Sequence, residues 1–299
     1  MTNFRSIFDY RQFSEEVRRK RRFIHSEKVS SFLRELLKSA TDREATLATG
    51  VTLSRAQIGS REWKRSDDEG NEWVEDAPFP PERMIPLVSN PSEGRVNPRG
   101  IAYLYLATDR KTAISETRPW AGALVSVASF RTTRDLRLVD CSKNHDKAGG
   151  LGYLLDVPVD QWDKLSPEQI EQAVWADIDN AFSRPVGPDD EYLNYVPTQI
   201  IAETFLVQGF DGIAYKSSLS ETGYNLALFD IHSVEFSSCE LLNITRTQYE
   251  FEECANPWFL RDGRYFTQVI TDIRPLNEAE SSDGPHKNAP VDGNKDTSQ

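Results

Sequence analysis

The chain has 299 residues, of which 38% are apolar and 10% aromatic, enough to bury a core without disulfide or metal staples. Its 47 acidic residues outnumber 35 basic ones, for a net charge of −12. That balance argues against a general nucleic-acid binder, which needs a basic face to neutralise phosphates, although it leaves room for a local cationic pocket.

Cys141, Cys239 and Cys254 are scattered, with no CxxC pair, and read as reduced thiols. No apolar run approaches the ~18 residues of a membrane span. The opening MTNFRSIFDYRQF carries charge where a leader peptide needs an apolar stretch. The expectation is a cytoplasmic protein with neither membrane nor nucleic acid as partner.

Residues 12 to 40 read as helix. Phe13 and Val17 form one apolar step, and Val29, Phe32, Leu33, Leu36 and Leu37 form a second stripe at helical spacing. Between them Arg18-Arg19-Lys20-Arg21-Arg22 reads as the solvated face of a helix or a patch for nucleic acid or an acidic partner. Val51 to Ala56 alternates like a strand. Residues 64 to 100, rich in Asp, Glu, Pro, Asn and Gly, read as one long irregular stretch. Ile101 to Ala107 is near-continuously apolar, as in a buried strand. A short helix is expected over Asp109 to Glu116, then strands over Ala123–Phe130 and Leu136–Asp140. Ser166-Pro167-Glu168-Gln169 is a capping signal ahead of a helix with Ile170, Val174, Trp175 and Ile178 on one face. A further helix is expected over Pro197 to Val207, closed by Gly209. Residues 213–215 and 225–229 read as a strand pair around a Ser-rich loop.

The commoner chemistries lack their signatures. His25, His145, His232 and His286 stand far apart, outside any HExxH context, so no metal site is expected. There is no GxSxG elbow, no GxxxxGK[ST] loop and no GxGxxG turn. What remains is polar residues where packed strands meet loops. Arg95, between Gly94 and Asn97-Pro98, reads as a solvated turn or as a fork for phosphate oxygens. Tyr105 reads as a core aromatic or as a platform for a flat ring. Glu116 reads as an exposed acid or as a carboxylate for a sugar-centred cation. Ser217 reads as a turn residue or as a positioning hydroxyl.

The stretches GRVNPRGIAYLYLATDRKTAISETRPW and YVPTQIIAETFLVQGFDGIAYKSSLSETGYNLALF resemble the RES domain family, named for its Arg, Glu and Ser. The GRxNPxG turn, the spacings Arg95–Tyr105 and Tyr105–Glu116, and the later DGIxYxS block carry the likeness. It extends over about residues 51 to 235. The resemblance implies an α+β fold like that of ADP-ribosyltransferase toxins, with a mixed or mostly antiparallel sheet flanked by helices. It implies that Arg95, Tyr105, Glu116 and Ser217 do the chemistry, with Ser218 an adjacent alternative for the serine. It adds Arg55, in Leu53-Ser54-Arg55-Ala56, and Asn225 to the dinucleotide-binding set.

By the same resemblance NAD is the substrate, no metal is used, and the partner is a helix-turn-helix antitoxin. The implied activity is cleavage of the nicotinamide–ribose bond by water or phosphate. Transfer of ADP-ribose to a protein or nucleotide, and NAD binding without catalysis, are the alternatives. The expected organisation is a helical segment over 1–50, a RES-type NAD-binding catalytic domain over 51–270 and a disordered acidic tail over 276–299.

Overall fold

The computed structural model describes residues 4–87, 89–145, 152, 157–184, 191–251, 258–261 and 264–267. The expected tail at 276–299 lies outside them. Met1–Thr247 form one compact unit, and a second begins at Gln248.

The run that reads as helix from 12 to 40 forms two helices, α1 (Asp9–Arg19) and α2 (Glu27–Ala40). Ser26 opens the second by accepting the Val29 amide at 3.3 Å, the usual work of an N-cap. Phe23 is 96% exposed, so the two apolar stripes do not join through it. Folding back lets the stripes meet, and Phe13 stacks on Phe32 with centroids 4.6 Å apart.

Eight strands form one sheet. They are β1 (Glu44–Leu47), β2 (Thr52–Ile58), β5 (Leu104–Ala107), β6 (Leu124–Thr132), β7 (Leu136–Asp140), β8 (Gly212–Lys216), β9 (Tyr224–Leu228) and β10 (Val234–Asn243), in the order β1-β7-β8-β9-β5-β2-β6-β10. Every neighbouring pair is antiparallel except β7 with β8. The fold is therefore α+β with a mixed sheet.

Strand alternation sorts the side chains onto two faces. Val139, Ile213, Tyr215 and Ala227 join one core with α1, α2, α5 (Pro167–Ser183) and α6 (Glu191–Val207). Leu53, Leu104, Leu106, Phe130, Leu138, Leu226 and Leu228 make a second core on the other face. Gly212 marks how tightly the strands sit, because a Cβ there would lie 2.4 Å from the Ala227 carbonyl oxygen.

Ser166 and Gln169 form the expected reciprocal cap at the start of α5, at 3.3 and 2.9 Å. Helix α6 begins six residues before Pro197, which is where the sequence placed its start. Pro197 costs α6 a backbone donor. Thr198 gives its hydroxyl to the Tyr195 carbonyl at 2.9 Å.

The stretch expected to be irregular holds a hairpin, β3 (Arg61–Ser66) with β4 (Glu72–Ala77), and the short helix α3 (Pro81–Met84). Its strands are almost wholly exposed, so they carry no apolar alternation to read. Arg61 and Arg65 instead lie over the Trp63 ring at 5.1 and 4.6 Å. Beyond Thr247, strands Trp258–Arg261 and Arg264–Thr267 pair antiparallel.

Candidate active site

The sheet loosens between β2 and β5, which register at one pair, Ser54 opposite Ala107. Arg55 occupies the gap, and its Nη1 donates to the Tyr105 carbonyl at 2.9 Å. Helix α4 (Arg110–Glu116) packs beside β2 and β5. Asp109 caps it, taking the Thr112 amide at 2.8 Å and the Thr112 hydroxyl at 2.7 Å. Gly223 faces this cap, and a Cβ there would lie 1.6 Å from Thr112 Oγ1.

A cavity of about 260 Å³ opens where these elements meet, lined by residues that include Ser54, Arg55, Tyr105, Glu116, Tyr215 and Asn225. Glu116 stands exposed at its rim, and one of its oxygens is spoken for. Oε1 accepts from Ser217 Oγ at 2.7 Å and from Asn225 Nδ2 at 2.6 Å. Oε2 accepts no hydrogen bond among the described residues. Ser217 is 2% exposed and also accepts the Leu219 amide at 3.1 Å, so its hydroxyl is committed. Neighbouring Ser218 is exposed.

Tyr105 lines the cavity, and its hydroxyl is engaged by the GRxNP turn. The hydroxyl donates to Asn97 Oδ1 at 2.6 Å and accepts the Val96 amide at 3.0 Å. Asn97, 2% exposed, binds the Ser92 and Ile101 carbonyls through Nδ2, at 2.9 and 2.7 Å. The GRxNP turn is thus tied to β5 through one phenol. Gly94 is required there, since a Cβ would fall 2.5 Å from the Tyr105 hydroxyl and 2.7 Å from Asn97 Oδ1.

Arg95 does not line this cavity. Its Nη1 donates to the Ala181 carbonyl at 3.0 Å, in the last turn of α5, and its guanidinium lies 5.7 Å from the Tyr195 ring. A cation at a helix C-terminus is well placed electrostatically. Burial raises the Tyr105 and Tyr215 phenols far above their usual range; the Arg95 charge opposes this in both, so it sits within reach of the two rings. Burial also depresses the Arg55 guanidinium to about 10, with Arg83 pushing the same way and Tyr105 against. Nε of Arg55 is buried without a partner.

The structure thus brings Arg55, Tyr105, Glu116 and Asn225 to one cavity, places Ser217 behind Glu116, and holds Arg95 outside the lining but near Tyr105 and Tyr215. Asn97 and Tyr215 were inside the quoted motifs but had no role assigned. Its fixed place in the GRxNPxG turn was the available signal for Asn97. Among the described residues no cluster of His, Cys, Asp or Glu is placed to hold a metal ion. No helix among them is long and apolar enough to cross a membrane.

The RES domain model matches residues 62–251, well over half of the 299, so the chain belongs to the RES domain family. Among solved structures the chain is similar to that of the M. tuberculosis MbcT–MbcA toxin–antitoxin complex. Identity is 13% and the TM-score 0.37, with 70% of this chain and 92% of that chain covered. No curated protein matches the chain.

Proposed function

We propose that this cavity binds NAD and breaks the bond between nicotinamide N1 and ribose C1′. The observation that carries this reading is the state of Glu116. One carboxylate oxygen is held by Ser217 and Asn225, and the other is left at the rim of a cavity that also holds a half-buried cation, Arg55. A fixed carboxylate is what an oxocarbenium-like ribose needs, because it stabilises charge that develops only in the transition state. The C–N electron pair goes to the ring nitrogen, so nicotinamide leaves as a neutral molecule and no general acid is required. Tyr105 offers its ring to the flat leaving group. The ribosyl cation is captured by water or phosphate. The reading also carries a partner, a helix-turn-helix antitoxin, whose co-expression would suppress NAD loss.

NAD labelled in the adenosine half tests it. Free nicotinamide together with free ADP-ribose, or its phosphate, supports cleavage. Label retained on protein or nucleotide means transfer, and saturable binding without nicotinamide release means a non-catalytic module.

A further inference from the structure

Arg19, Lys20, Arg21, Arg22, Phe23 and Ile24 are all exposed, and they lie where α1 turns into α2. The proposed reaction uses none of them. The whole-chain charge conceals what this corner is. Residues 1–40 hold ten basic side chains against five acidic ones, while the other 259 residues hold 25 against 42. A positive end on an otherwise strongly acidic chain is the asymmetry of a protein that meets an anionic surface.

The backbone of the turn is fixed although its side chains face outward. Val17 and Val29 are buried on either side of it. The Lys20 and Arg21 amides both donate to the Glu16 carbonyl, at 2.8 and 3.1 Å, and the His25 ring meets the Arg22 carbonyl at 3.0 Å. Most of the positive charge is left over. Arg21 lies 3.8 Å from Glu16, but among the described residues no ion pair holds Arg19, Lys20 or Arg22. Next to these cations Phe23 is 96% exposed and Ile24 77%, although the core of the same helix pair buries Phe4, Phe13 and Phe32.

The apolar pair decides between anionic partners. Nucleic acid would take the cations and stack on Phe23, leaving Ile24 in water. An acidic peptide would match the charges, but side chains this exposed project from the surface, so the peptide would have to bring its own pocket for both. A lipid surface meets every requirement at once: headgroup phosphates suit arginine forks, and the acyl boundary dissolves Phe and Ile alike. We propose that the α1–α2 turn is a docking site for an anionic bilayer surface, with Phe23 and Ile24 entering the acyl boundary and the four cations before them held on lipid headgroups. The acidic remainder of the chain is repelled by such a surface, so contact is confined to this corner. Charges more than about 8 Å from the headgroups are screened at physiological salt, which lets the corner act alone.

Co-sedimentation of the full chain with vesicles tests this, using phosphatidylcholine alone and equal parts phosphatidylcholine and phosphatidylserine. The wild type is expected to bind the serine-containing vesicles, to ignore the neutral ones, and to come off at high salt. Arg19→Gln, Lys20→Gln and Arg22→Gln together should weaken binding roughly a hundredfold. Phe23→Ser with Ile24→Ser should weaken it roughly tenfold and leave its salt dependence as it was. All five positions are exposed, so the core is untouched, and near-ultraviolet circular dichroism verifies that each variant is folded. A wild type that does not bind anionic vesicles overturns the proposal, as does one that binds neutral vesicles equally well. Variants that bind within twofold of wild type overturn it too. Tighter binding of polyglutamate or of a single-stranded RNA oligonucleotide, lost in the same variants, assigns the corner to a peptide or a nucleic acid instead.

Discussion

The Ser217 hydroxyl donates to Glu116 Oε1 across 2.7 Å, joining the end of β8 to the end of α4 over 101 residues of sequence. Ser217 accordingly acts through the glutamate and not on the substrate, and Asn225 grips the same oxygen from the next strand. Removing either holder lets the carboxylate swing. Ser217→Ala should therefore lower kcat for NAD cleavage by roughly tenfold, near the lower end for a hydrogen bond to a charged group, while KM changes little. A KM effect larger than the kcat effect, from steady-state kinetics, would mean that the serine contacts substrate directly.

Tyr105 separates two jobs, ring and hydroxyl. Tyr105→Phe keeps the ring at the cavity but leaves Asn97 Oδ1 and the Val96 amide without their partner. The expected cost is about 1–3 kcal/mol of stability, the usual penalty for stranding buried polar groups. Denaturant unfolding measures it, and KM for NAD should stay close to wild type.

Gly94→Ala attacks the same junction by volume. The new methyl would need space held by the Tyr105 hydroxyl and Asn97 Oδ1, so the turn must shift. A loss of about 1–3 kcal/mol is expected, as for overpacking elsewhere. A variant that melts with wild type would show that this turn yields freely.

Much of this was legible in the sequence, and the boundary is physical. Strands β2, β5, β6, β7, β8 and β9 bury residues such as Leu53, Leu104, Phe130, Leu138, Ile213 and Leu228, so alternation or apolar runs announced them. Ser166 and Gln169 announced α5 by chemistry local to four residues. Hairpin β3–β4 was missed because its strands pack on each other and face solvent, leaving no core-facing pattern. The position of the break between α1 and α2 was not legible, because the basic run after Val17 suits a helix as well as a turn. At the site, residue types pointed to Arg95, Tyr105, Glu116 and Ser217, and the family resemblance added Arg55 and Asn225. What they could not convey is direction: that Ser217 faces Glu116, and that Arg95 donates to the Ala181 carbonyl. Those facts depend on contacts 86 and 101 residues apart in the chain.

A buried acid away from the cavity yields a pH prediction. Asp179 of α5 is fully buried, with Oδ2 on His145 Nδ1 at 2.8 Å and Oδ1 unpartnered. Burial raises its carboxyl above the ordinary range, with Asp140 adding to this, while His145 and Arg43 oppose. A carboxyl whose folded pKa is raised contributes stability in its protonated form. That contribution is complete below the unfolded value and is lost as pH rises through the folded one. Asp179→Asn cannot ionise, so its melting temperature relative to wild type should climb as pH rises from the ordinary aspartate value through the raised folded one. Parallel melting curves across that range, by calorimetry, would contradict the sign.

The central claim is that Glu116 carries a charge the transition state needs. Glu116→Gln keeps its shape and leaves Oε1 able to accept from Ser217 and Asn225. The direct measurement is the rate of nicotinamide release from NAD by the wild type and by Glu116→Gln at equal, verified folding. The account predicts a rapid wild type and a variant slower by about 10²–10³, with NAD binding largely kept. Equal rates of nicotinamide release from the two proteins would contradict it.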